Sequence, residues 1–122
     1  MTISEVATLL SARFLTGEPE INFQCLFACS SDLMSDVLAF SKDKSILLTG
    51  LVNIQVVRTA EIMDMKAVIF VRGKEPSKEV LNYAKEKDIT VLATELALFE
   101  ASGMLYSHGL GRKERLCGCT MT

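Results

Sequence analysis

The residues of this chain that could bind a ligand lie at three corners, where an apolar stretch ends and an amphipathic one begins. These corners are residues 49–53, 72–76 and 93–95. Amides at the start of a helix attract anions, and ligands of α/β proteins bind where the strands end. Arg72 and Lys74 would add positive charge beside two such helix starts. The predicted contacts to a phosphate or carboxylate are Thr49, Gly50, Asn53, Arg72, Gly73 and Thr94.

A purely structural explanation of the same corners stays open. The stretch TGLVNIQ, residues 49–55, has no Lys followed by Ser or Thr, so it is not a Walker loop. It also lacks the second and third glycines of a dinucleotide-binding fingerprint. A tight turn is sufficient to explain Gly50, and exposure to solvent is sufficient to explain Arg72 and Lys74. An anion site and a plain connection between elements are both consistent with these residues.

Thiols are the second candidate chemistry. Cys117 and Cys119 are separated by one glycine, so their thiolates could chelate a soft metal or form a redox pair. Two thiolates supply half of a typical metal site, and a second copy or a partner would have to supply the rest. Cys25 and Cys29 fall in an apolar segment, where a spacing of four puts them on one face of a strand. We interpret that second pair as small core residues.

No catalytic set can be assembled from the sequence. The single histidine, His108, lies near the end of the last predicted helix, where a cation complements the helix dipole. Zinc-protease, serine-hydrolase and protein-kinase signatures are absent from the sequence. Asp32 and Asp36 lie one helical turn apart, and capping and solvent exposure explain both. We therefore expect a protein without enzymatic activity and without a cofactor.

Composition limits the partners. The chain has 122 residues, a formal net charge of −2 and no tryptophan, which argues against a general nucleic-acid binder. The longest apolar run, AVIFV, is too short to cross a bilayer. The N-terminus, MTISEVATLLSARF, lacks the pattern of a signal peptide. We expect a cytoplasmic protein with reduced thiols and without nucleic-acid or membrane partners.

The elements that would position the corners follow from the apolar pattern. Strands are predicted over residues 21–29, 45–49, 67–71 and 89–93, and helices after Thr2, within 30–40, and over 53–65, 77–87 and 94–109. This alternation predicts an α/β three-layer sandwich with a mainly parallel sheet, in which the three corners share one edge. The domain should span residues 1–110, followed by a flexible tail at 111–122.

Several helix starts are predicted from side chains that can cap them. An N-cap side chain accepts a hydrogen bond from an amide of the first turn. The predicted caps are Thr2 in a capping box with Glu5, Ser31 or Asp32, and Thr94.

With these segments laid out, the chain resembles the DRTGG-domain family, the small α/β module related to the N-terminal domain of HPr kinase/phosphorylase. The resemblance spans roughly residues 2–110. Its carriers are CSSDLMSDVLAF, SILLTGLVNIQVVRTAEIMDMKAVIFVRGKEPSKEVLNYAKEKDITVLAT and ELALFEASGMLYSHGL. Where many members carry an acidic residue and an arginine after the glycine, this chain has Leu51 and Val52.

The resemblance implies a non-enzymatic regulatory or assembly module, dimeric or larger, that has a protein partner or binds a small anionic ligand or nucleotide. Some family members carry the label HPr serine kinase, but that chemistry belongs to a separate P-loop domain that this chain does not contain. Stand-alone members often accompany hydrogenase genes. The alternative function is therefore a hydrogenase-associated, metal- or thiol-handling accessory protein that acts through Cys117 and Cys119.

Overall fold

The structure, a computed structural model, describes residues 1–16 and 23–111. In these residues it contains five strands and five helices. The strands are β1 (Arg13–Phe14), β2 (Phe27–Ser30), β3 (Ser45–Thr49), β4 (Ala67–Phe70) and β5 (Thr90–Ala93). The helices are α1 (Ile3–Leu10), α2 (Met34–Phe40), α3 (Ile54–Ile62), α4 (Lys78–Glu86) and α5 (Leu98–Ser107).

Four strands of the sheet are parallel, and the fifth is short and antiparallel. The order across the sheet is β1-β5-β4-β3-β2. Strands β2 to β5 run parallel, and β1 pairs antiparallel with β5. Every residue of β3, β4 and β5 is buried, as expected for apolar runs covered on both faces. The predicted three-layer sandwich with a mainly parallel sheet is confirmed.

Helices cover both faces of the sheet and form two cores. On one face α1 and α5 contribute Ile3, Val6, Leu10, Ala101 and Leu105, which pack with Ile46, Leu48, Ile69 and Leu92. On the other face α2, α3 and α4 contribute Val37, Val56, Val57, Ala60, Val80 and Ala84, which pack with Leu47, Val68, Phe70 and Val91. Successive strand residues point to opposite faces, so each strand serves both cores.

Side-chain caps begin three of these helices. At α1 the Glu5 amide donates to Thr2 Oγ1 at 3.1 Å, and the Thr2 amide donates to Glu5 Oε1 at 2.7 Å. The predicted capping box is therefore confirmed. Asn53 and Ser77 accept hydrogen bonds from first-turn amides of α3 and α4. These caps fix where each connection from a strand enters its helix.

The last helix begins at Leu98 and not at Thr94. Ala97 takes the N-cap position, and its amide donates to Glu100 Oε1 at 3.1 Å. The Thr94 hydroxyl instead donates to the carbonyl oxygen of Leu10 at 2.7 Å, in the buried interior. The prediction of Thr94 as an N-cap is wrong because a tertiary contact with the end of α1 uses its hydroxyl.

The first parallel strand is shorter than the predicted segment 21–29. The Cys25 amide donates to the carbonyl oxygen of Met1 at 2.7 Å, so the chain before β2 pairs with the N-terminus. Strand β1 was not predicted, since its two residues are too few to form a periodic pattern. It joins the outer side of β5.

The predicted tail lies almost entirely beyond the residues that can be described. Of residues 111–122 the structure describes only Gly111, whose amide donates to the carbonyl oxygen of Leu26 at 2.9 Å. The boundary at residue 110 and the predicted flexibility therefore stay predictions. Among the described helices, none is long and apolar enough to cross a membrane.

Candidate functional site

The candidate site is the carboxyl edge of the sheet, which we define as the carboxyl ends of β2 to β5 with the loops that follow them. Parallel strands end at the same edge, where ligands of α/β proteins usually bind. The six predicted ligand contacts, Thr49, Gly50, Asn53, Arg72, Gly73 and Thr94, all lie in this region.

Backbone hydrogen bonds join the three corners into one surface. The Val71 amide donates to the Thr49 carbonyl oxygen at 3.1 Å, which connects the second corner to the first. The Gly73 amide donates to the Thr94 carbonyl oxygen at 2.8 Å, which connects the second corner to the third. The loop after β4 is therefore the centre of the edge.

That central loop is a tight turn that holds Arg72 in an uncommon backbone conformation. Arg72 and Gly73 have φ angles of +60° and +69°, and the Lys74 amide closes the turn on the Val71 carbonyl oxygen at 3.2 Å. Positive φ at both central residues is the pattern of a type I′ turn, which favours Asn or Gly. An arginine there costs about 1 kcal/mol.

The side chain of Arg72 is exposed, and no carboxylate of residues 1–16 or 23–111 forms an ion pair with it. Lys74 extends from the same turn toward the first corner, where its Nζ donates to the Gly50 carbonyl oxygen at 3.1 Å. Two cationic side chains therefore lie on the central part of the carboxyl edge.

Asp32 is the residue of this edge that the sequence interpretation missed. We predicted Ser31 or Asp32 as the cap of α2, which is wrong, since Leu33 occupies that position without a side-chain hydrogen bond. Asp32 Oδ1 instead accepts from Thr49 Oγ1 at 2.8 Å and from the Gly50 amide at 2.7 Å. The pKa of Asp32 is lowered, chiefly by the hydrogen bond from the Gly50 amide and then by the one from the Thr49 hydroxyl. The positive charge of Lys74 lowers this pKa further.

Asp32 therefore already accepts a hydrogen bond from the amide of Gly50, one of the six predicted contacts. The side chains of the predicted contacts Asn53 and Thr94 likewise form hydrogen bonds within the protein. Asn53 Oδ1 accepts from the Gln55 amide at 3.0 Å. The buried Thr94 hydroxyl is bonded to Leu10. Of the six predicted contacts, Arg72 is the one whose side chain is presented to solvent as a charged donor.

The side of the edge nearest β1 is occupied by an ion-pair group. Arg13 pairs with Glu75 and lies 3.9 Å from Glu95. Glu95 also approaches Gly73 closely, since a Cβ built on Gly73 would lie 2.5 Å from Glu95 Oε1. Among the described residues of the edge, the cationic side chains without a carboxylate partner are therefore Arg72 and Lys74.

The two described cysteines, Cys25 and Cys29, are free thiols that pack against the hydrophobic cores. Burial raises the pKa of the Cys25 thiol to about 11, and burial followed by the charge of Asp36 raises the pKa of Cys29. Cys25 packs with the core of α1 and α5, whereas Cys29 packs with the opposite core. The expectation that they share one face is therefore wrong, because Cys25 precedes β2 and does not continue its alternation.

The predicted metal ligands Cys117 and Cys119 lie outside the described residues, so that site stays a prediction. Within residues 1–16 and 23–111, no three His, Cys, Asp or Glu side chains cluster closely enough to hold a metal ion. His108 follows α5 directly, and its Nδ1 lies 2.8 Å from the Met104 carbonyl oxygen. It lies at the end of the helix, as predicted.

Comparison with known proteins supports a DRTGG-like module. No protein-family model and no curated protein matches the sequence. The chain is similar to a crystal structure of the CBS and DRTGG domains of the regulatory region of Clostridium perfringens pyrophosphatase, complexed with the activator diadenosine tetraphosphate. The TM-score is 0.70 at 21% identity, over 85% of this chain and 45% of that chain.

This chain therefore corresponds to less than half of the regulatory region that it matches. At this identity the likeness establishes the fold, and it confirms the expected DRTGG-like architecture. It gives no support to a hydrogenase-associated role.

Proposed function

We propose that this chain is a non-catalytic regulatory module that binds a small anionic ligand, of the phosphate or nucleotide class, at the carboxyl edge of its sheet. The observation that carries the proposal is Arg72, which is exposed at a positive φ without a carboxylate partner in the described residues. A strained residue with an unused charge is characteristic of binding sites. Lys74 supplies the second cation.

The chemistry of the edge favours an anion of small size. A guanidinium binds phosphate or carboxylate oxygens through two parallel hydrogen bonds, and an ammonium adds a point charge. Asp32, Glu75 and Glu95 surround these cations and would repel a ligand that spread across the whole edge. The ligand should therefore contact the turn after β4, and its affinity should fall with salt, because both cations are exposed.

The structural neighbour is consistent with this class of ligand. Its printed activator, diadenosine tetraphosphate, is a nucleotide with a chain of phosphates, and the region that was crystallised with it is regulatory. That ligand is a property of the pyrophosphatase, and here it only selects the first compounds to test.

A calorimetric titration of the full chain tests the proposal. The probes are diadenosine tetraphosphate, ATP, AMP, pyrophosphate and inorganic phosphate, each at low and at physiological salt. We expect at least one probe to bind, and we expect Arg72→Ala to weaken it at least tenfold. Lys85→Ala is the matched control, since Lys85 is an exposed cation in the last turn of α4. Its loss should leave the affinity unchanged.

Arg72→Gly separates binding from folding. Glycine adopts a positive φ without strain, so this variant should be at least as stable as the wild type and still lose the ligand. The proposal is wrong if no probe binds, or if Arg72→Gly binds as tightly as the wild type. Equal losses in Lys85→Ala and Arg72→Ala would show that only the net charge matters.

A further inference from the structure

A shallow groove of about 540 Å³ lies between α3 and α4, and its volume is within the range of small-molecule sites. Its lining residues are Ile54, Arg58, Lys78, Glu79, Asn82, Tyr83 and Glu86. Ile54 and Lys78 are the first residues of their helices. Both helices begin at the carboxyl edge, because each follows a parallel strand. The groove therefore opens at that edge and extends about 12 Å away from it along α4, from Lys78 to Glu86.

The cations of the edge lie at the mouth of this groove. Lys74 Nζ donates to the Gly50 carbonyl oxygen at 3.1 Å, one helical turn before Ile54 in the sequence. Lys74 itself lies one turn before Lys78 in the sequence. An anion bound by Arg72 and Lys74 would therefore lie beside the groove, and the remainder of a larger ligand would have room to enter it.

The charges that line the groove are balanced. Arg58 and Lys78 contribute two positive charges, and Glu79 and Glu86 contribute two negative charges. A second phosphate would gain little from this lining, because attraction and repulsion largely cancel. An uncharged group that carries both donors and acceptors can bond to either sign of charge. The groove is therefore suited to the neutral, polar part of a ligand whose anionic part is bound at the edge.

Tyr83 contributes an aromatic ring that the protein already holds in place. Its hydroxyl donates to Glu61 Oε1 at 2.7 Å, and Glu61 is paired with Lys87 at 3.4 Å. Lys87 Nζ also lies 5.5 Å from the centre of the ring, but Lys87 is not among the residues that line the groove. A ring that is fixed in advance can stack on a planar group without further loss of side-chain freedom.

Asn82 contributes an unused amide at the same place. Its side chain is exposed and forms no hydrogen bond with any described residue. A carboxamide presents a donor and an acceptor side by side, which matches the neighbouring acceptor and donor on one edge of adenine. Asn82 and Tyr83 both line the groove, so one planar base can contact both.

We propose that the groove between α3 and α4 binds the adenine base of a nucleotide whose phosphates are bound by Arg72 and Lys74. This inference rests on the proposed function, and it narrows the ligand to adenine nucleotides. The base stacks on Tyr83, and the Asn82 amide bonds to its edge. A nucleotide with more than one phosphate fits best, since its phosphates must reach from the turn after β4 to the groove.

The experiment is calorimetric titration of the full chain with ATP and with tripolyphosphate, which carries the same number of phosphates without a nucleoside. We expect ATP to bind at least tenfold more tightly, because a base gains about that factor by stacking on an aromatic ring. Tyr83→Leu and Asn82→Ala should each weaken ATP at least fivefold and leave tripolyphosphate unchanged. Lys85→Ala is the matched control, since Lys85 is exposed on α4 but does not line the groove. It should change neither affinity.

Two further comparisons test the assigned contacts. Tyr83→Phe keeps the ring and loses the bond to Glu61, so it should bind ATP nearly as the wild type does. A loss as large as that of Tyr83→Leu would overturn the stacking contact. GTP should bind more weakly than ATP, because guanine presents two acceptors where adenine presents an acceptor and a donor. Equal affinities would overturn the choice of adenine.

Failure of this inference differs from failure of the proposed function. If Arg72→Ala weakens tripolyphosphate but ATP binds no more tightly than tripolyphosphate, the anion site stands and the base site is overturned. The base site is also overturned if Tyr83→Leu and Asn82→Ala leave the ATP affinity unchanged. If neither compound binds, the proposed function and this inference both fail.

Discussion

Replacement of Asp32 tests whether this carboxylate holds the carboxyl edge together. Its Oδ1 accepts from the Thr49 hydroxyl at 2.8 Å and from the Gly50 amide at 2.7 Å. Asp32→Ala removes the oxygen that accepts both hydrogen bonds, whereas Asp32→Asn keeps an oxygen that can accept both and loses only the charge. The two variants therefore separate hydrogen bonding from charge.

The expected magnitude follows from the burial of the two donors. Thr49 is fully buried, so Asp32→Ala leaves its hydroxyl without an acceptor, whereas the partly exposed Gly50 amide can bond to water. Loss of a partner for one buried polar group lowers the free energy of unfolding by about 2 kcal/mol. For a chain of this length that corresponds to a melting temperature lower by roughly 8 °C. Asp32→Asn should cost about 0.5 kcal/mol, since a charged acceptor is stronger than a neutral one.

Urea unfolding between pH 3 and pH 7 measures both effects. The folded-state pKa of Asp32 is lowered, so its charge stabilises the protein fully above the unfolded value of about 3.9. That stabilisation is lost as the pH falls through the lowered folded-state pKa. The difference between the wild type and Asp32→Asn should therefore be constant near neutral pH and shrink in acid.

Asp43→Ala is the matched control, because Asp43 is an exposed carboxylate in the loop between α2 and β3. Its removal should change the free energy of unfolding by less than about 0.5 kcal/mol. The structural explanation fails if Asp32→Ala is no less stable than Asp43→Ala. It also fails if the difference between the wild type and Asp32→Asn stays constant down to pH 3.

Two further substitutions test neighbouring parts of the same edge. Gly73→Ala should lower the free energy of unfolding by about 1 kcal/mol in urea, because of its φ of +69°. Adding Glu95→Ala, which removes the steric contact, should recover little, and full recovery would contradict the backbone explanation. Thr94→Val should cost about 1 to 2 kcal/mol, since the buried Leu10 carbonyl loses its donor. Thr94→Ser should retain most of the stability, and a Thr94→Val protein as stable as the wild type would show that this bond contributes nothing.

The parts of the fold that could be predicted are those set by local pattern. The apolar runs at 45–49, 67–71 and 89–93 correspond to β3, β4 and β5 within a residue, because strands covered on both faces need continuous apolar sequence. Their common direction follows from the helices between them, so the shared edge was predictable. The Thr2–Glu5 capping box is equally local.

The roles of individual side chains at the edge were not predictable, because they depend on contacts between distant segments. The Thr94 hydroxyl bonds to Leu10, 84 positions away in the sequence. Asp32 and Thr49 are 17 positions apart, and their contact requires β2 to lie beside β3. A polar residue two positions after a parallel strand could have been a signal, since such a residue lies at the same edge as the corner that follows the next strand.

Asp32 also limits which part of the carboxyl edge the proposed anion could use. Its carboxylate accepts from the Gly50 amide and from the Thr49 hydroxyl, and Lys74 donates to the Gly50 carbonyl oxygen of the same corner. An anion that competed for the Gly50 amide would have to displace the Asp32 carboxylate and would leave the buried Thr49 hydroxyl without its acceptor, which is costly. An anion held by Arg72 would leave both bonds intact. Because Asp32 already satisfies the Gly50 amide, while Arg72 has no ion-pair partner among the described residues, we expect the proposed anion to bind at the turn after β4 without disturbing Asp32.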